Sequence, residues 1–538
     1  MTVRQGFYVV SLIVSAIIGT LAYFWPWCIH FFWLAGPLIL LGCYDVMQRR
    51  RNVLRNYPVL GHFRYMLEGI RPQIQQYFIE RNTEEVPFSR EQWELIQERS
   101  TNSVDELPFG TQRDVHALGY EWINHSLAPK AVINEEFKVM VGGSECKKPY
   151  LASRLNVSAM SFGALSKNAV RALNRGARLG GFAQNTGEGG LTKYHLKEGG
   201  DVFWQIGTGY FGCRSNDGHF DEDKFQEKAI LDNVKMVEIK LSQGAKPAHG
   251  GILPAAKISK EISEIRGVPM GEDCISPPAH TAFSTPKGLL DFVAKLRDLS
   301  GGKPIGFKLC LGIRREFLGI CKAMIETGIT PDFITVDGSE GGTGAAPLEF
   351  TDFIGTPLDE GLVFVHNALV GAGVRDEIKI IASGKIVTGF DVVCKLALGA
   401  DMCNAAREMM FSIGCIQSRK CHTNKCPTGV ATQDPKRYYA LDPKSKAPQV
   451  RNYHHATLRN YRAILGAAGV SHPDELRRSR IRRQVSQTQA LRYSDIYPEL
   501  ELGCLRDNMN IPEPYSIYWE QASADSFDFN EAAGKCQG

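Results

Sequence analysis

Two apolar stretches open the chain and predict membrane-spanning helices. From Gly6 to Tyr44, the only residue of the Asp, Glu, His, Lys or Arg types is His30. The run divides at Trp25-Pro26-Trp27 into halves of about seventeen residues, near the lower limit for a helix that crosses a bilayer. We therefore predict a helical hairpin with spans at about 7–24 and 27–44 that turns at the membrane interface.

Basic residues on both flanks of this hairpin set its orientation. RQ precedes the first half and QRRRNVLR follows the second, which places both ends in the cytoplasm. A signal peptide is disfavoured, because the apolar run is too long and no small-residue cleavage site precedes Arg49. We expect a multi-pass protein of the cell membrane with its catalytic domain in the cytoplasm; a single pass is the alternative.

Beyond the membrane anchor (1–50), the pattern predicts three regions. Residues 51–150 carry apolar residues at helical spacing in RPQIQQYFIERN and SREQWELIQERS, which indicates a mostly helical approach segment packed on the main domain. From 151 to 470, short apolar runs alternate with helical stretches, a pattern typical of βα units around a parallel sheet. Residues 471–538 are expected to form a C-terminal tail.

The central region contains nine strand candidates, one more than a TIM barrel requires. VFWQIG is expected to be the extra one, because the irregular stretch CRSNDGHFDEDKF follows it where a crossover helix should lie. The predicted fold class is therefore α/β, a (β/α)8 TIM barrel preceded by the transmembrane hairpin. The candidates are LNVSAMS, GGFAQN, VFWQIG, MVEIKLS, DCISPP, PIGFKLC, DFITVDG, KIIASG and ADMCNAA.

Composition narrows the class of protein. A formal net charge of +4 over 538 residues excludes a dedicated nucleic-acid binder, so no nucleic-acid partner is expected. Fourteen cysteines at irregular spacing in so long a chain do not form a secreted disulfide framework, which indicates a reducing compartment.

Glycine-rich loops follow the predicted strands and indicate a phosphate-bearing cofactor. GTGYFG matches the dinucleotide fingerprint but runs on into the turn sequence CRSNDGH instead of a helix, so we reject that reading. The loops Ser383–Gly389 and Cys403–Met410 follow the last two strands, where barrels commonly bind phosphate. They suit a flavin mononucleotide, with Gly384 allowing close backbone approach and Lys385 or Arg407 adding charge.

Lys308 lies within the apolar strand candidate PIGFKLC, where its charge must be compensated. The pyrimidine edge of a flavin, which becomes anionic on reduction, would provide that compensation.

Three cysteines stand within CIQSRKCHTNKCPTG at C-x5-C-x4-C spacing. Cys415, Cys421 and Cys426 are too many for one disulfide and one too few for a four-thiolate zinc site. Three thiolates suit an iron-sulfur cluster with one corner lacking a protein ligand. The spacing alone also allows zinc or unligated thiols.

The motifs AMSFGALS, NTGEGG, QGAKPxxGG, SPPxH, DGxxGGTGAxP and C-x5-C-x4-C-x-TGVATQ occur in this order from Ala159 to Gln433. Together they resemble the FMN-binding synthase domain of glutamate synthase over residues 150–470. The resemblance implies a (β/α)8 barrel that holds FMN beside a [3Fe-4S] cluster. It also implies that ammonia condenses with 2-oxoglutarate, that reduced FMN delivers hydride to give L-glutamate, and that ferredoxin or a pyridine-nucleotide-oxidising partner supplies the electrons.

The resemblance also assigns residues to roles. Cys415, Cys421 and Cys426 match the cluster ligands, and Lys246 and Arg266 match cations near the 2-oxoglutarate carboxylates. Glu188 matches a carboxylate of the substrate pocket, and Met160 lies beside flavin and keto acid. The full FMN-binding set expected is Met160, Ser161, Thr186, Lys308, Gly342, Gly384, Lys385, Ala406 and Arg407.

The chain departs from the family pattern in two places that bear on function. GAKPAHGGILP has His249 and Ile252 where glutamate synthases usually have a carboxylate and a substrate-contacting amide. A membrane segment stands where a glutaminase would begin, so we expect free ammonia or a separate glutaminase as the nitrogen source. Two alternatives stay open: a methylamine-glutamate N-methyltransferase-like activity, and a membrane-anchored flavin and iron-sulfur redox sensor without turnover.

Overall fold

The computed structural model describes residues 2–48, 52–79, 87–103, 106, 108–131 and 137–528. Contacts along the chain divide it into two units, Met1–Arg90 and Glu91–Gly538. The sequence pattern had placed boundaries near residues 50, 150 and 470 instead.

The first unit begins with two long apolar helical segments. An α-helix spans Val3–Phe24, and the 3-10 turn Pro26–Phe31 leads into the helix Phe32–Met47. The Thr2 hydroxyl accepts a hydrogen bond from the Gln5 amide and starts the first helix. Val3–Phe24 and Pro26–Met47 are each long and apolar enough to cross a membrane. The predicted flanking residues Arg49, Arg50 and Arg51 lie outside the described residues.

Two shorter elements follow the hairpin, a helix at Asn52–Asn56 and an amphipathic helix at Leu60–Ile74 that runs into the π-helical turn Gln75–Ile79. The last helix before the barrel region is Arg90–Thr101. From there to Tyr150, the described residues contain only the strands Glu121–Ile123 and Val139–Val141. The prediction of a mostly helical segment is therefore wrong beyond Thr101, because Gly, Pro and turn residues interrupt the helical pattern there.

Eight parallel strands form a closed barrel, which confirms the predicted fold class. Closure occurs where the last strand pairs with the first, with Cys403 opposite Leu155 and Ala405 opposite Val157. The strands are β1 Leu155–Val157, β2 Gln184–Asn185, β3 Val202–Ile206, β4 Val234–Lys240, β5 Ile305–Leu309, β6 Phe333–Asp337, β7 Lys379–Ser383 and β8 Met402–Ala405.

The choice of the extra strand was wrong. VFWQIG forms β3, whereas Cys274–Ile275 of DCISPP pairs antiparallel with Ile252–Leu253 outside the barrel. The crossover after β3 does contain a helix, Glu222–Ala229, which begins late because Asp221 caps it by accepting from the Lys224 amide. Because one strand candidate is lost from the predicted barrel and another is gained, β5, β7 and β8 are still the fifth, seventh and eighth strands, as predicted.

Helices follow the strands of the barrel and cover it. The helix Lys167–Gly180 begins at the Ser166 cap and ends at Gly181, whose φ of 71° only glycine adopts at little cost. The other helices of this unit are Lys193–Leu196, Glu222–Ala229, Lys260–Arg266, Pro286–Leu299, Arg314–Thr327, Leu348–Phe353, Leu358–Ala372, Gly389–Ala397, Arg407–Ser412, Pro435–Tyr438, Pro443–Ala467, Tyr493–Ile496 and Tyr515–Gln521.

A small antiparallel hairpin closes the amino end of the barrel. Val139–Val141 pairs with Tyr150–Ala152. Its buried side chains pack against apolar residues near the starts of the barrel strands, among them Phe203, Met236 and Phe333. This end of the barrel is therefore a packed core, and only the opposite end is available for a site.

The C-terminal region predicted as a tail is folded through residue 528. Ile481–Gln484 pairs with both Glu121–Ile123 and Ala490–Arg492. Arg478 is buried and donates to the carbonyl of Tyr497 at 2.9 Å. Residues 529–538 of the predicted tail lie outside the described residues.

A buried carboxylate connects strands across the inside of the barrel. Glu238 on β4 accepts hydrogen bonds from Asn185 on β2 at 2.8 Å, Gln205 on β3 at 2.6 Å and Thr335 on β6 at 2.6 Å. Since β2 and β6 do not neighbour β4 in the sheet, these side chains meet only because the sheet closes.

Replacing Glu238 with alanine should destabilise the barrel strongly. The change leaves three buried donors without an acceptor, and we expect the free energy of unfolding to fall by about 3–5 kcal/mol. Denaturant titration of the full-length protein in detergent, followed by near-UV circular dichroism, measures the loss. Glu227→Ala, on an exposed helical position, is the matched control, expected within about 0.5 kcal/mol of the parent. Equal stability of the two variants would contradict this role for Glu238.

Candidate functional site

The predicted cofactor and substrate residues gather at the carboxyl end of the barrel. Met160 and Ser161 follow β1, Thr186 and Glu188 follow β2, and Lys308 is the penultimate residue of β5. Residues from the loops after β6, β7 and β8 join them at the same end: Gly342, Gly384, Lys385, Ala406 and Arg407. The site is thus built where parallel barrels place their chemistry.

The loops after β1 and β2 touch because of a glycine. Gly187 has a φ of 65°, and a Cβ there would stand 2.6 Å from the backbone nitrogen of Ser161. Any larger residue would force the two loops apart. Thr186 is fully buried, and its hydroxyl donates to the Gly187 carbonyl at 2.9 Å while accepting from the Gln205 amide at 3.0 Å. Thr186 therefore fixes this loop.

Glu188 is ionised and surrounded by cations. Its Oε2 accepts from Lys240 Nζ at 2.8 Å. Burial would raise the pKa of Glu188, but Lys240, Lys246 and Arg266 outweigh burial and lower the pKa below its ordinary value. Three cations and one carboxylate give the cluster an excess of two positive charges, which favours an anionic ligand.

Arg266 presents a buried guanidinium to this cluster. Its Nη2 donates to the Phe162 carbonyl at 3.2 Å, and its central carbon lies 4.9 Å from the ring centre of Phe211. Its buried Nε–H meets no acceptor within the described chain. Gly189 leaves the space for this arrangement, because a Cβ there would come within 2.9 Å of Nη2.

Lys246 reaches across to the loop after β6. Its Nζ donates to the carbonyl of Ala345 at 2.8 Å, and the side chain is buried. Burial lowers the pKa of Lys246 to about 8, so its positive charge is retained near neutral pH and lost in mildly alkaline solution.

A cleft opens beside Glu188 and Lys240. His249 lines it, with Nδ1 2.8 Å from the Gly250 carbonyl and its ring edge-on to Phe350 at 5.0 Å. Gly251 provides room for the carboxylate, since a Cβ there would lie 2.5 Å from Glu188 Oε1. The two family-divergent residues of GAKPAHGGILP therefore differ in position: His249 faces the cleft, and Ile252 begins a strand of the small outer sheet.

The loops after β6, β7 and β8 form a second, cationic region. Arg407 Nη2 donates to the Glu340 carbonyl at 2.6 Å, and a Cβ on Gly342 would stand 2.7 Å from the Arg407 side chain. Gly384 has a φ of 143° and Lys385 a φ of 50°. Burial lowers the pKa of both Lys385 and Arg407, and for Lys385 the charge on Arg407 adds to the effect.

Lys308 has a protein partner for its charge. Its Nζ lies 3.3 Å from Asp337 Oδ2, and the same oxygen accepts from the Gly244 amide at 2.8 Å. The negative charge beside Lys308, predicted to come from a flavin, is thus supplied in part by Asp337.

The three cysteines lie in one loop between the helices Arg407–Ser412 and Pro435–Tyr438. Burial raises the pKa of Cys415 to about 12 and also raises that of Cys421, and each is raised further by a neighbouring cysteine sulfur. Burial acts in the same direction on Cys426, but backbone N–H groups of the following turn outweigh it and lower the pKa of that thiol. In the described part of the chain, no three His, Cys, Asp or Glu side chains converge closely enough to share one metal ion.

Two side chains support the cysteine loop from outside. The buried Lys257 donates to the carbonyls of Ala164 at 2.5 Å and Cys421 at 3.2 Å. Trp93 Nε1 donates to the Cys415 carbonyl at 3.0 Å. The loop is therefore attached both to the β1 loop of the barrel and to the helix Arg90–Thr101.

Sequence reasoning missed three contributors to the site. Lys240 is a lysine in the apolar run MVEIKLS, the same signal that singled out Lys308. His280 of SPPAH lies 2.9 Å from the Lys240 carbonyl and 3.1 Å from the Tyr210 hydroxyl. Burial lowers the pKa of His280 to about 4, so it is neutral. Nothing in the local sequence marks Lys257.

Known proteins similar to this chain include several flavoenzymes of solved structure. Flavocytochrome b2 aligns over 78% of this chain and 85% of its own at 14% identity and a TM-score of 0.41. Mandelate oxidase aligns over 70% of this chain and 88% of its own at 15% identity and a TM-score of 0.39. Values this low carry no argument about function.

Sequence relatives are more informative. The glutamate synthase large subunit-like protein YerD of Bacillus subtilis is 40% identical over 484 residues, covering 82% of this chain and 92% of that protein. The archaeal-type glutamate synthase [NADPH] of Thermotoga neapolitana is 34% identical over 324 residues, and the match spans 60% of this chain and 61% of that protein.

The family model described as the conserved region in glutamate synthase matches residues 96–471, more than half of the chain. This match includes the whole barrel, the cluster around Glu188 and the cysteine loop. The chain therefore belongs to the glutamate synthase family and is, as predicted, an oxidoreductase of the class that acts on CH–NH2 donors.

Proposed function

We propose that the barrel makes L-glutamate by reductive amination of 2-oxoglutarate with ammonia. The observation that carries the proposal is the ionised Glu188 among Lys240, Lys246 and Arg266 at the carboxyl end of the barrel. Its excess of two positive charges is matched by the two carboxylates of 2-oxoglutarate.

Lys246 and Arg266 bind the carboxylates in this proposal. The unsatisfied Nε–H of Arg266 gives a buried donor that a ligand carboxylate can satisfy, which removes a desolvation cost. Lys246 then faces the other carboxylate and exchanges its bond to the Ala345 carbonyl for an ionic one.

Glu188 positions the nitrogen donor and transfers its protons in this proposal. Held ionised by Lys240, its carboxylate takes protons from ammonium as the nitrogen adds to the keto carbon and passes them to the keto oxygen, which leaves as water. Ionised again, it stabilises the cationic imine. His249 faces the same cleft where the family pattern has a carboxylate, so this chain depends on Glu188 for negative charge there.

FMN fits the loops at the same end of the barrel. Gly342 allows the Arg407 side chain to approach the loop after β6, Gly384 has a φ of 143°, and Lys385 and Arg407 supply cations for the phosphate. Bound FMN would supply the hydride that reduces the imine. The residues proposed to hold it are Met160, Ser161, Thr186, Lys308, Gly342, Gly384, Lys385, Ala406 and Arg407.

We propose that a [3Fe-4S] cluster, which would transfer single electrons, is held by Cys415, Cys421 and Cys426. Support comes from the N–H groups around the Cys426 sulfur, because such donors stabilise a thiolate, and from the buried cation Lys257 beside the loop. Ferredoxin or a pyridine-nucleotide-oxidising partner is the proposed electron donor. The apolar helices Val3–Phe24 and Pro26–Met47 are proposed to anchor the enzyme in the cell membrane with the barrel in the cytoplasm.

The test is turnover by the full-length protein, purified in detergent without oxygen. With reduced methyl viologen and 2-oxoglutarate, we expect glutamate from ammonium chloride and none without a nitrogen source. Glutamine in place of ammonium, with and without an added glutaminase, identifies the nitrogen donor. Ammonia release from methylamine plus glutamate would replace the proposal by the N-methyltransferase-like activity. Flavin reduction without reoxidation by any keto acid would replace it by the redox sensor.

The affinity for 2-oxoglutarate should fall as pH rises through the pKa of Lys246. That pKa is lowered to about 8, so the lysine loses its charge above this pH and the dianion loses a partner. We expect KM to rise by up to about tenfold per pH unit above the pKa, with little change in kcat. Lys246→Arg keeps the charge and should abolish this rise. A KM independent of pH between about 7 and about 9 in the parent protein would argue against a substrate role for Lys246.

Replacing Cys421 with serine should remove the cluster and leave the flavin. We expect loss of the iron-sulfur EPR signal and much slower flavin reduction by viologen, at unchanged flavin content, because the thiolates are needed only for the metal. Cys146→Ser, at a cysteine outside the loop, is the control. Iron content equal to that of the control would contradict the assignment of Cys421 as a ligand.

A further inference from the structure

We propose that the helix Leu60–Ile74 lies flat on the membrane surface, with one face in the lipid headgroup region. The inference rests on the proposed membrane anchoring of the hairpin and adds a second lipid contact. The segment was predicted as part of an approach segment packed on the main domain.

The apolar side chains of this helix form a single stripe. At 3.6 residues per turn, they occupy an arc of about 120°. Five of them are at least two-fifths exposed: Leu60 at 68%, Phe63 at 60%, Met66 at 52%, Ile70 at 42% and Leu67 at 41%. Ile74 completes the stripe. A row of this kind is costly in water and is stabilised when it is buried in lipid.

Charged residues border the stripe in the way an interfacial helix requires. Arg64 and Arg71 lie next to its edge on the helical wheel, where long side chains can extend to headgroup phosphates. Arg64 also pairs with Glu68 one turn on, at 2.9 Å, on the side away from the stripe. In the sequence, Arg49, Arg50 and Arg51 stand between the hairpin and this helix and add positive charge to the segment.

A buried hydrogen-bond cluster fixes this helix to the end of the hairpin. Asp45, in the last turn of Phe32–Met47, is fully buried. It accepts from the Val59 amide at 2.9 Å and contacts His62 Nε2 at 2.8 Å. These contacts satisfy the buried carboxylate and hold the start of the helix at the depth where the span ends. A lipid surface is therefore the partner that the position of the helix favours.

Site-specific photocrosslinking in full-length protein tests the proposal. Benzoylphenylalanine is introduced in place of Phe63 or Ile70 on the stripe, of Gly69 outside the stripe, and of the exposed Leu12 in the first span. A side chain at Gly69 meets nothing within 4 Å, so it is a matched control. The protein is reconstituted in vesicles of phosphatidylcholine with phosphatidylglycerol, irradiated and analysed by mass spectrometry.

We expect phospholipid adducts at Leu12, Phe63 and Ile70, several-fold more than at Gly69. Adducts at Leu12 with none at Phe63 and Ile70 would overturn the surface-helix proposal while leaving the anchor intact. Protein adducts at Phe63 or Ile70 would mean that the stripe packs on protein instead. No lipid adduct at Leu12 would overturn the anchor and this proposal together.

Discussion

Closure of the barrel around Glu238 is the constraint on which the functional end depends. A carboxylate in the middle of a closed sheet is tolerated only when donors surround it, and here the donors come from β2, β3 and β6. Asn185 and Gln205 are thereby held at the ends of their strands, and the loop that follows Asn185 carries Glu188. The hydrogen bonds that satisfy Glu238 inside the barrel therefore also hold the strand ends that shape the cleft.

The electrostatics of the cleft depend on how closely its loops approach one another. Glycines at 187, 189 and 251 allow loops and side chains to approach more closely than any larger residue would permit. This brings a carboxylate and three cations together away from bulk water, where charges interact more strongly. The result is a site with an excess of positive charge near neutral pH, which suits the dicarboxylate substrate proposed for it.

Predictions from sequence succeeded where a residue type in an apolar run left few physical alternatives. Lys308 must have a counter-charge in any barrel strand, and it has one in Asp337, although the predicted partner was a flavin and that contact stays a prediction. They failed where the outcome depended on distant partners. VFWQIG was excluded from the barrel because its crossover looked irregular, yet the delayed helix Glu222–Ala229 returns the chain to the next strand. DCISPP was accepted on local pattern, although its strand Cys274–Ile275 pairs with the short strand Ile252–Leu253 outside the barrel.

The sequence by itself determined the two apolar N-terminal helices, the barrel class, the family and the order of the loops that carry Glu188, Lys246, Arg266 and the three cysteines. Periodicity and local motifs fix such features because they depend on neighbours along the chain. Only the tertiary structure decided that Lys240 pairs with Glu188, that Lys257 supports the cysteine loop and that Asp45 holds the helix after the hairpin. Each of these contacts joins residues that are not neighbours in the sequence. A buried charged or polar group requires a partner, but the sequence does not identify which residue provides it.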